Sequence, residues 1–354
     1  MKNKKQKIDQ ISITSDSSIL DALKKMDQTF KRLLLVFTDE KFINVLSIGD
    51  IQRAIIRNIS LETPILQILR KQTTLSFHKE SFEEIKNKML ESRVECMPIL
   101  NEQNELIDVF FWEDIFKNKE KRNESNLNLP VVIMAGGKGS RLKPLTNVLP
   151  KPLIPIGEKT ILENIMDRFV KIGCNQFYLS VNYKSEMIRY YFKTLKNTEY
   201  DISYFEEVKP LGTAGSLYML KGKIKKSFFI SNCDIVIDEN YEEIYKYHKE
   251  NKNDLTIVAA LKHFPIPYGT IETKADGILK SLVEKPELTF KINSGMYLLE
   301  PHILNEIPDN LFMHITELIE NISKKDYKVG VFPVSEKSWK DIGTWEEYLT
   351  SIEK

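Results

Sequence analysis

The stretch VVIMAGGKGSRLKPLTNVLPKPLIPI, residues 131–156, decides the fold. It opens on an apolar run of strand length, VVIMA (131–135), and passes at once into Gly136, Gly137 and Gly139. Glycines at such a turn let the backbone approach a ligand and aim several N–H groups at one anion. Ser140, Arg141 and Lys151 add donors and positive charge. The glycines alone would equally suit an ordinary strand-to-helix turn; Arg141 and the PKPL run at 150–153 favour a phosphate loop. Two other phosphate loops are excluded. A Walker A loop needs a Gly-Lys-Ser/Thr step, and none follows. A dinucleotide fingerprint, GxGxxG, needs glycine where Leu142 stands, counting from Gly137.

Downstream, apolar strands alternate with amphipathic helices. ILENIMDRFVKIG carries Ile161, Leu162, Ile165, Met166, Phe169 and Val170 on one stripe, and Gly173 ends it. FYLSV (177–181), FFISN (228–232) and LTIVAAL (255–261) read as strands, with helices at SEMIRYYFKTL and near 239–250. This pattern predicts an α/β domain around a doubly wound, mostly parallel sheet. GTIETKADGILKSLVEKP instead reads as an inserted hairpin turning near Asp276-Gly277.

Upstream, the polar run KNKEKRNESNLNLP (117–130) lacks apolar periodicity. It predicts a smaller domain at 1–120, a linker at 121–129 and the α/β domain at 130–354. The smaller domain holds a degenerate repeat: SILDALKKM then RLLLVFTDEKFINVLSIGDIQRAI, and SFEEIKNKML then VECMPILNEQNELIDVFFWEDIF. Each copy reads as helix, strand, turn, strand and helix start, with Ile19, Leu20, Leu23 and Met26 on the first helix face and Phe82, Ile85, Met89 and Leu90 on the second.

Composition narrows the chemistry. The 354 residues balance Lys+Arg 51 against Asp+Glu 50, a formal charge of +1, so there is no general field for nucleic acid or an anionic membrane. No apolar run approaches membrane-spanning length, and no signal-like apolar segment follows the basic MKNKKQK, which reads as a cytoplasmic protein. Cys96, Cys174 and Cys233 are odd in number and far apart, and the histidines show no HxxxH or HExxH spacing, so disulfide, zinc and histidine-metal chemistry are not expected.

Residues 8–118 resemble a tandem CBS pair, on the repeat and on Ser47-Ile48-Gly49-Asp50. The resemblance implies that Asp50 holds the ribose hydroxyls of a regulatory nucleotide; the alternative is that Asp50 and Asp114 cap the following helices. The second copy reads Phe111-Trp112-Glu113-Asp114, with Phe where Ser or Thr is expected.

Residues 130–351 resemble the sugar-1-phosphate nucleotidylyltransferases. The family string GGxGxRLxPLTxxxPKPLxPI stands here as GGKGSRLKPLTNVLPKPLIPI, followed in order by PLGTAGSL, NCDIVID, VEKP, NSGMY and WKDIGTWEEY. Cys233 departs from the usual Gly and Trp345 from the usual Pro. The resemblance implies a Rossmann-like nucleotidyltransferase that converts an NTP and a sugar 1-phosphate to an NDP-sugar and pyrophosphate, with Mg²⁺ as cofactor and a homo-oligomeric assembly. It implies Arg141 and Lys151 as catalytic charges, and Ala135, Gly136, Gly137, Gly139, Ser140, Glu207, Gly212 and Thr213 at the nucleotide. Gly269, Glu284, Lys285 and Asn293 would meet the sugar phosphate, with Asp234 and Asp341 on the metal. Tyr297 would either meet the sugar or belong to the core.

Glu207 favours GTP, because a carboxylate accepts from the adjacent N1–H and amine of guanine and would repel uracil O4. The CBS-transferase combination is similar to guanylyltransferases of bacterial nonulosonic (legionaminic) acid pathways, which implies glucosamine 1-phosphate; mannose 1-phosphate is the alternative acceptor. A rival of another class is a nucleotide-sensing regulatory protein without catalysis.

Overall fold

The computed structural model describes residues 8–29, 31–71, 73–92, 94, 96–111, 126–195 and 197–352. They fall into two units, one up to Arg122 and one from Asn123. Trp112, Glu113, Asp114 and linker residues 121–125 lie outside the described residues.

The first unit repeats one arrangement. Strand β1 (Ser12–Thr14), helix α1 (Ile19–Thr29), β2 (Leu33–Thr38), β3 (Lys41–Ser47) and α2 (Ile48–Ile56) form the first copy. Strand β4 (Ser76–Phe77), α3 (Phe82–Ser92), β5 (Cys96–Leu100) and β6 (Leu106–Phe111) form the second. Each copy has a three-stranded sheet in which the first strand runs parallel and the third antiparallel to the middle one. Ile19, Leu20, Leu23 and Met26 are buried, as their spacing on α1 requires. On α3, Ile85 and Met89 are buried but Phe82 is not. Phe82 lies at the helix start and meets the edge of Phe110, with ring centroids 6.0 Å apart.

The second unit takes in the end of the polar run as well as the α/β region. The Leu127 N–H donates to the Ile172 carbonyl at 3.0 Å and Leu129 is buried, so the end of the expected linker belongs to this unit. Strand β7 (Val131–Met134) leads to a short antiparallel pair, β8 (Pro155–Ile156) and β9 (Lys159–Thr160), and then to α4 (Ile161–Val170). Thr160 and Glu163 form a capping box that starts α4. Next come β10 (Gln176–Val181), α5 (Ser185–Leu195), β11 (Asp201–Glu206), β12 (Phe228–Asn232), β13 (Ile235–Ile237) and α6 (Tyr241–Glu250). The chain finishes with β14 (Leu255–Pro265), β15 (Thr270–Thr273), β16 (Leu279–Val283), β17 (Glu287–Leu299), α7 (Ile315–Ser323), β18 (Val329–Val334), β19 (Trp339–Asp341) and α8 (Trp345–Ile352).

Seven strands make one sheet in the order β11-β10-β7-β12-β17-β14-β18. All its pairings are parallel except those of β17, which runs antiparallel to β12 and β14. Successive residues of a strand face opposite sides, and both sides are covered here. Val132, Ile230, Leu255 and Tyr297 pack into one core with Leu318 and Ile322 of α7. On β12, Phe229 meets Phe169 of α4 and Tyr241 of α6. β15 and β16 form the antiparallel hairpin inserted between β14 and β17. Among the described residues no helix is long and apolar enough to cross a membrane.

Candidate active site

Strands β7 and β12 are parallel neighbours, so their carboxyl ends deliver two loops to one edge of the sheet. That edge is where open α/β sheets bind ligands. Ala135 is buried and its N–H donates to the Ser180 carbonyl at 2.9 Å, which carries β7 one residue further. Gly137 faces open space: an added Cβ would meet nothing within 4 Å. Gly139 has φ +62, and a Cβ there would fall 2.9 Å from both Lys151 Cβ and Thr146 Cγ2. Only glycine allows the Lys151 stem to pass so close. Ser140 and Arg141 then occupy a single 3₁₀ turn, Ser140–Leu142.

Lys151 is buried and its ammonium forms an ion pair with Asp234, just beyond β12. β19 pairs with β13 so that Asp341 lies opposite Ile235, and the Ile342 N–H donates to the Asp234 carbonyl at 2.8 Å. Two aspartates 107 positions apart thus sit on adjoining backbone. A Cβ on Gly343 would lie 2.6 Å from Asp341 Oδ1 and 3.2 Å from Arg141 Nη2, so that glycine lets guanidinium and carboxylate crowd together.

Asp341 Oδ1 is buried and has no hydrogen-bond partner among the described residues. Burial first, and then the Asp234 and Glu347 charges, hold the Asp341 carboxyl above the usual carboxylate range; Lys151 and Arg141 pull the other way. An unsatisfied buried acceptor costs about 1–3 kcal/mol, and more when charged. A hard cation would relieve it. Among the described residues no three His, Cys, Asp or Glu side chains gather at one point, so a metal here would rest on two carboxylates and on oxygens of water or ligand. That donor set fits magnesium.

On the other side of β12, a bulge in β17 places Asn293. Val258 pairs with Met296 and Ala259 with Asn293, leaving Ser294 and Gly295 unpaired. The Ser294 hydroxyl donates to the Val258 carbonyl at 2.7 Å. Gly295 has φ +85 and packs against Asn232. Such bulges re-aim side chains beside sites. Asn293 Oδ1 accepts from the Tyr297 hydroxyl at 2.9 Å; Tyr297 itself is buried in the core. Gly269 faces Glu284, whose Oε2 would be 2.9 Å from an added Cβ. Glu284 and Lys285 are exposed at the root of the inserted hairpin, and among the described residues neither forms an ion pair with the four charged residues above.

The expected base contacts have other partners. Glu207 accepts from the Leu211 N–H at 2.8 Å and from the Ser180 hydroxyl at 3.1 Å, one bond on each oxygen, so its carboxylate braces the following loop. Gly212 (φ +78) makes a close approach to protein: a Cβ there would lie 2.5 Å from the Met313 carbonyl oxygen. Thr213 accepts from the Ile315 N–H at 3.0 Å and starts α7. Asp50, in the first unit, is likewise committed: its carboxylate accepts from the Ser47 N–H and hydroxyl and pairs with Arg53 and Arg70. Of the two roles open to Asp50, the contacts are those of the helix cap.

Sequence reasoning missed Lys184. Its ammonium donates to the carbonyls of Asn147 at 2.6 Å and Val148 at 2.8 Å, while the Tyr183 hydroxyl reaches the Thr146 carbonyl at 3.2 Å. The Asn182 amide donates to the Glu207 carbonyl at 2.8 Å. Asn182 to Lys184 therefore brace the loops around the glycines; the polar run at the end of a buried strand was the available signal. The Cys233 thiol, pushed up to about 12 chiefly by burial, stays neutral beside Asp234.

The nucleotidyl transferase family model matches residues 130–354, and the CBS domain model matches residues 7–57. The mannose-1-phosphate guanylyltransferase catalytic subunit beta of Xenopus tropicalis is 33% identical over 236 residues, 63% of this chain and 64% of that protein. Its counterpart in Drosophila pseudoobscura pseudoobscura is 29% identical over 238 residues, 62% of this chain and 61% of that protein. The chain thus spans less than two thirds of the length of these curated relatives. Among solved structures, HddC from Yersinia pseudotuberculosis is 28% identical with a TM-score of 0.50, covering 64% of this chain and 98% of that one. The same protein complexed with GMP-PN is 27% identical, also with a TM-score of 0.50 and the same two coverages.

Proposed function

This chain belongs to the nucleotidyl transferase family, and we propose that it transfers GMP from GTP to a hexose 1-phosphate, releasing pyrophosphate and a GDP-sugar. The observation that carries the reading is the meeting of Arg141, Lys151, Asp234 and Asp341 beside an open glycine loop, with one carboxylate oxygen left unsatisfied. A phosphate oxygen of the sugar phosphate forms a bond to the α-phosphorus, and the bond from that phosphorus to the bridging oxygen of pyrophosphate breaks. The attacking phosphate is already ionised near neutral pH, so no strong base is needed. The obstacle is bringing two polyanions together, which alignment and charge neutralisation overcome.

In this reading the N–H groups around Gly137, Gly139 and Ser140 cradle the triphosphate. Arg141 presents a planar fork to the leaving phosphates, and Lys151 a buried charge. Asp234 and Asp341 would hold a magnesium ion, which when bound offsets negative charge on phosphate oxygens. Lys285 holds the attacking phosphate, Glu284 accepts from sugar hydroxyls beside Gly269, and Asn293 completes the sugar side.

The choice of guanine is supported by the guanylyltransferase names of the relatives and by the GMP-PN complex of HddC. Mannose 1-phosphate, which the relatives' names carry, is the first acceptor to try; glucosamine 1-phosphate is the second, on the combination of CBS and transferase units. Pyrophosphate release with Mg²⁺, crossing GTP, UTP, CTP, dTTP and ATP with mannose, glucosamine and glucose 1-phosphates, tests the reading. GTP should give the highest kcat/KM. Release with no pair would sink the transferase, and a preference for UTP would sink the guanine assignment alone.

A further inference from the structure

Two indole N–H groups hold the backbone on either side of Asp341. Trp339 Nε1 donates to the Ser294 carbonyl at 3.1 Å. Trp345 Nε1 donates to the Lys143 carbonyl at 2.7 Å. Ser294 belongs to the β17 bulge beside Asn293, and Lys143 closes the turn that carries Arg141. The segment bearing Asp341 is therefore tied to the sugar side at one end and to the phosphate turn at the other.

The second tie comes from a departure: Trp345 stands where the family string usually has Pro. Position 345 is the first residue of α8, where proline's missing N–H is harmless. The helix start does not need the indole: Thr344 Oγ1 accepts from the Glu347 N–H at 3.4 Å and bonds Glu347 Oε2 at 3.0 Å. What tryptophan adds is a donor for a carbonyl that precedes Pro144, a residue with no N–H of its own to continue a regular hydrogen-bond pattern. Arg141, two residues before Lys143, makes no hydrogen bond or ion pair among the described residues; its guanidinium rests against Gly343. Its aim is set by the turn's backbone and by that one contact.

We propose that Trp345 is a positioning residue for the transfer reaction: by holding the Lys143 carbonyl it fixes the Arg141 turn against the Asp341–Gly343 segment, so that the two move as one body. The proposal rests on the transferase reading, and part of its test is independent of turnover.

The full-length protein is made as Trp345→Phe, which keeps a ring beside Tyr348 but loses the donor, and as Trp345→Pro, which restores the family's residue. Both should lower kcat roughly 5- to 10-fold, the scale of one hydrogen bond, with less than about a two-fold change in KM for GTP. Added to Arg141→Ala, Trp345→Phe should slow the enzyme no further, because residues acting through one another are not additive. Without any ligand, the amides of 140–143 and 145–147 should exchange with solvent faster in Trp345→Phe than in wild type. An unchanged kcat, equal slowing with and without Arg141, or unchanged exchange would overturn the proposal. A wild-type protein that transfers nothing removes the functional reading, and the tether then stands or falls on exchange alone.

Discussion

Two carboxylates with buried oxygens, one in each unit, have opposite surroundings. The Asp50 side chain is 1% exposed and fully engaged, by Ser47, Arg53 and Arg70. Asp341 has an oxygen equally hidden from water and no partner for it among the described residues. Folded chains satisfy nearly all their buried polar groups, so an orphan marks a place where the partner comes from outside. As sequence, S-I-G-D and D-I-G-T were comparable candidates for ligand-binding aspartates. Their hydrogen bonds separate a carboxylate engaged within the fold from one with an oxygen left over.

The strongest way to break this contrast is Asp341→Asn. Under the proposed function, kcat should fall by about 10³-fold or more, the upper end of what loss of one electrostatic partner removes. In metal-free buffer near neutral pH the same variant should melt higher than wild type, by roughly 2–4 °C, because the desolvation of that carboxylate and its repulsion from Asp234 and Glu347 are relieved. Mg²⁺ should raise the melting temperature of wild type and not of the variant. A variant that loses activity and also melts lower would make Asp341 an ordinary structural residue. Next in size, under the same proposal, Arg141→Ala should lower kcat by about 10²-fold while raising KM for GTP much less, since its charge would act on the leaving phosphates. If only KM rises, Arg141 binds substrate and transition state alike.

Asp50→Asn is the mirror experiment. It should leave transfer within about two-fold of wild type and destabilise the first unit by about 1–2 kcal/mol, the lower part of the range for an unpaired buried group because Arg53 and Arg70 are half-exposed and can rehydrate. Hydrogen exchange across β2, β3 and α2 measures this locally. Exchange that rises only in the second unit would contradict the division.

Much of this arrangement is legible in the sequence alone. The strand-glycine-arginine string and the ordered motifs after it point to Arg141, Lys151, Asp234 and Asp341, which do converge. The alternation of strands and helices predicts the sheet, because each strand buried on both faces must be apolar throughout. The rest depends on contacts that no local pattern carries. Gly212 is required by the Met313 carbonyl, and Glu207 accepts from Ser180 and Leu211. The Trp345 indole finds its partner at Lys143. Such side chains look free in sequence and are committed in space. Phe82 is the reverse case, apolar at the right spacing yet left outside by its place at a helix end.

His248 supplies the smallest test and the sharpest control, since it lies in the same unit as Asp341 but resembles Asp50. Its ring is fully buried; Nδ1 lies 2.8 Å from Thr256 Oγ1 and Nε2 lies 3.2 Å from Glu300 Oε1. Burial pushes the His248 pKa below the usual 6.5, outweighing the pull of Glu300 in the other direction. The unfolded chain therefore binds more protons than the folded one just below pH 6.5, and stability rises with pH across that window. It is fully present above 6.5 and is lost as acid takes the pH down through the folded value. Glu300, held low by Lys249 and Ser227 against its own burial, loses its contribution only below the usual 4.5. A scan between pH 7.5 and 5.5 stays above that range, and the difference between wild type and His248→Asn separates this ring from His263, His302 and His314 of the same unit. The wild-type melting temperature of the second unit should fall by roughly 2–4 °C over that range, and His248→Asn should flatten the slope without altering kcat at pH 7.5. Parallel slopes would mean that His248 titrates freely, and that a buried titratable group with internal partners is no guide to which carboxylates the fold keeps for its own use.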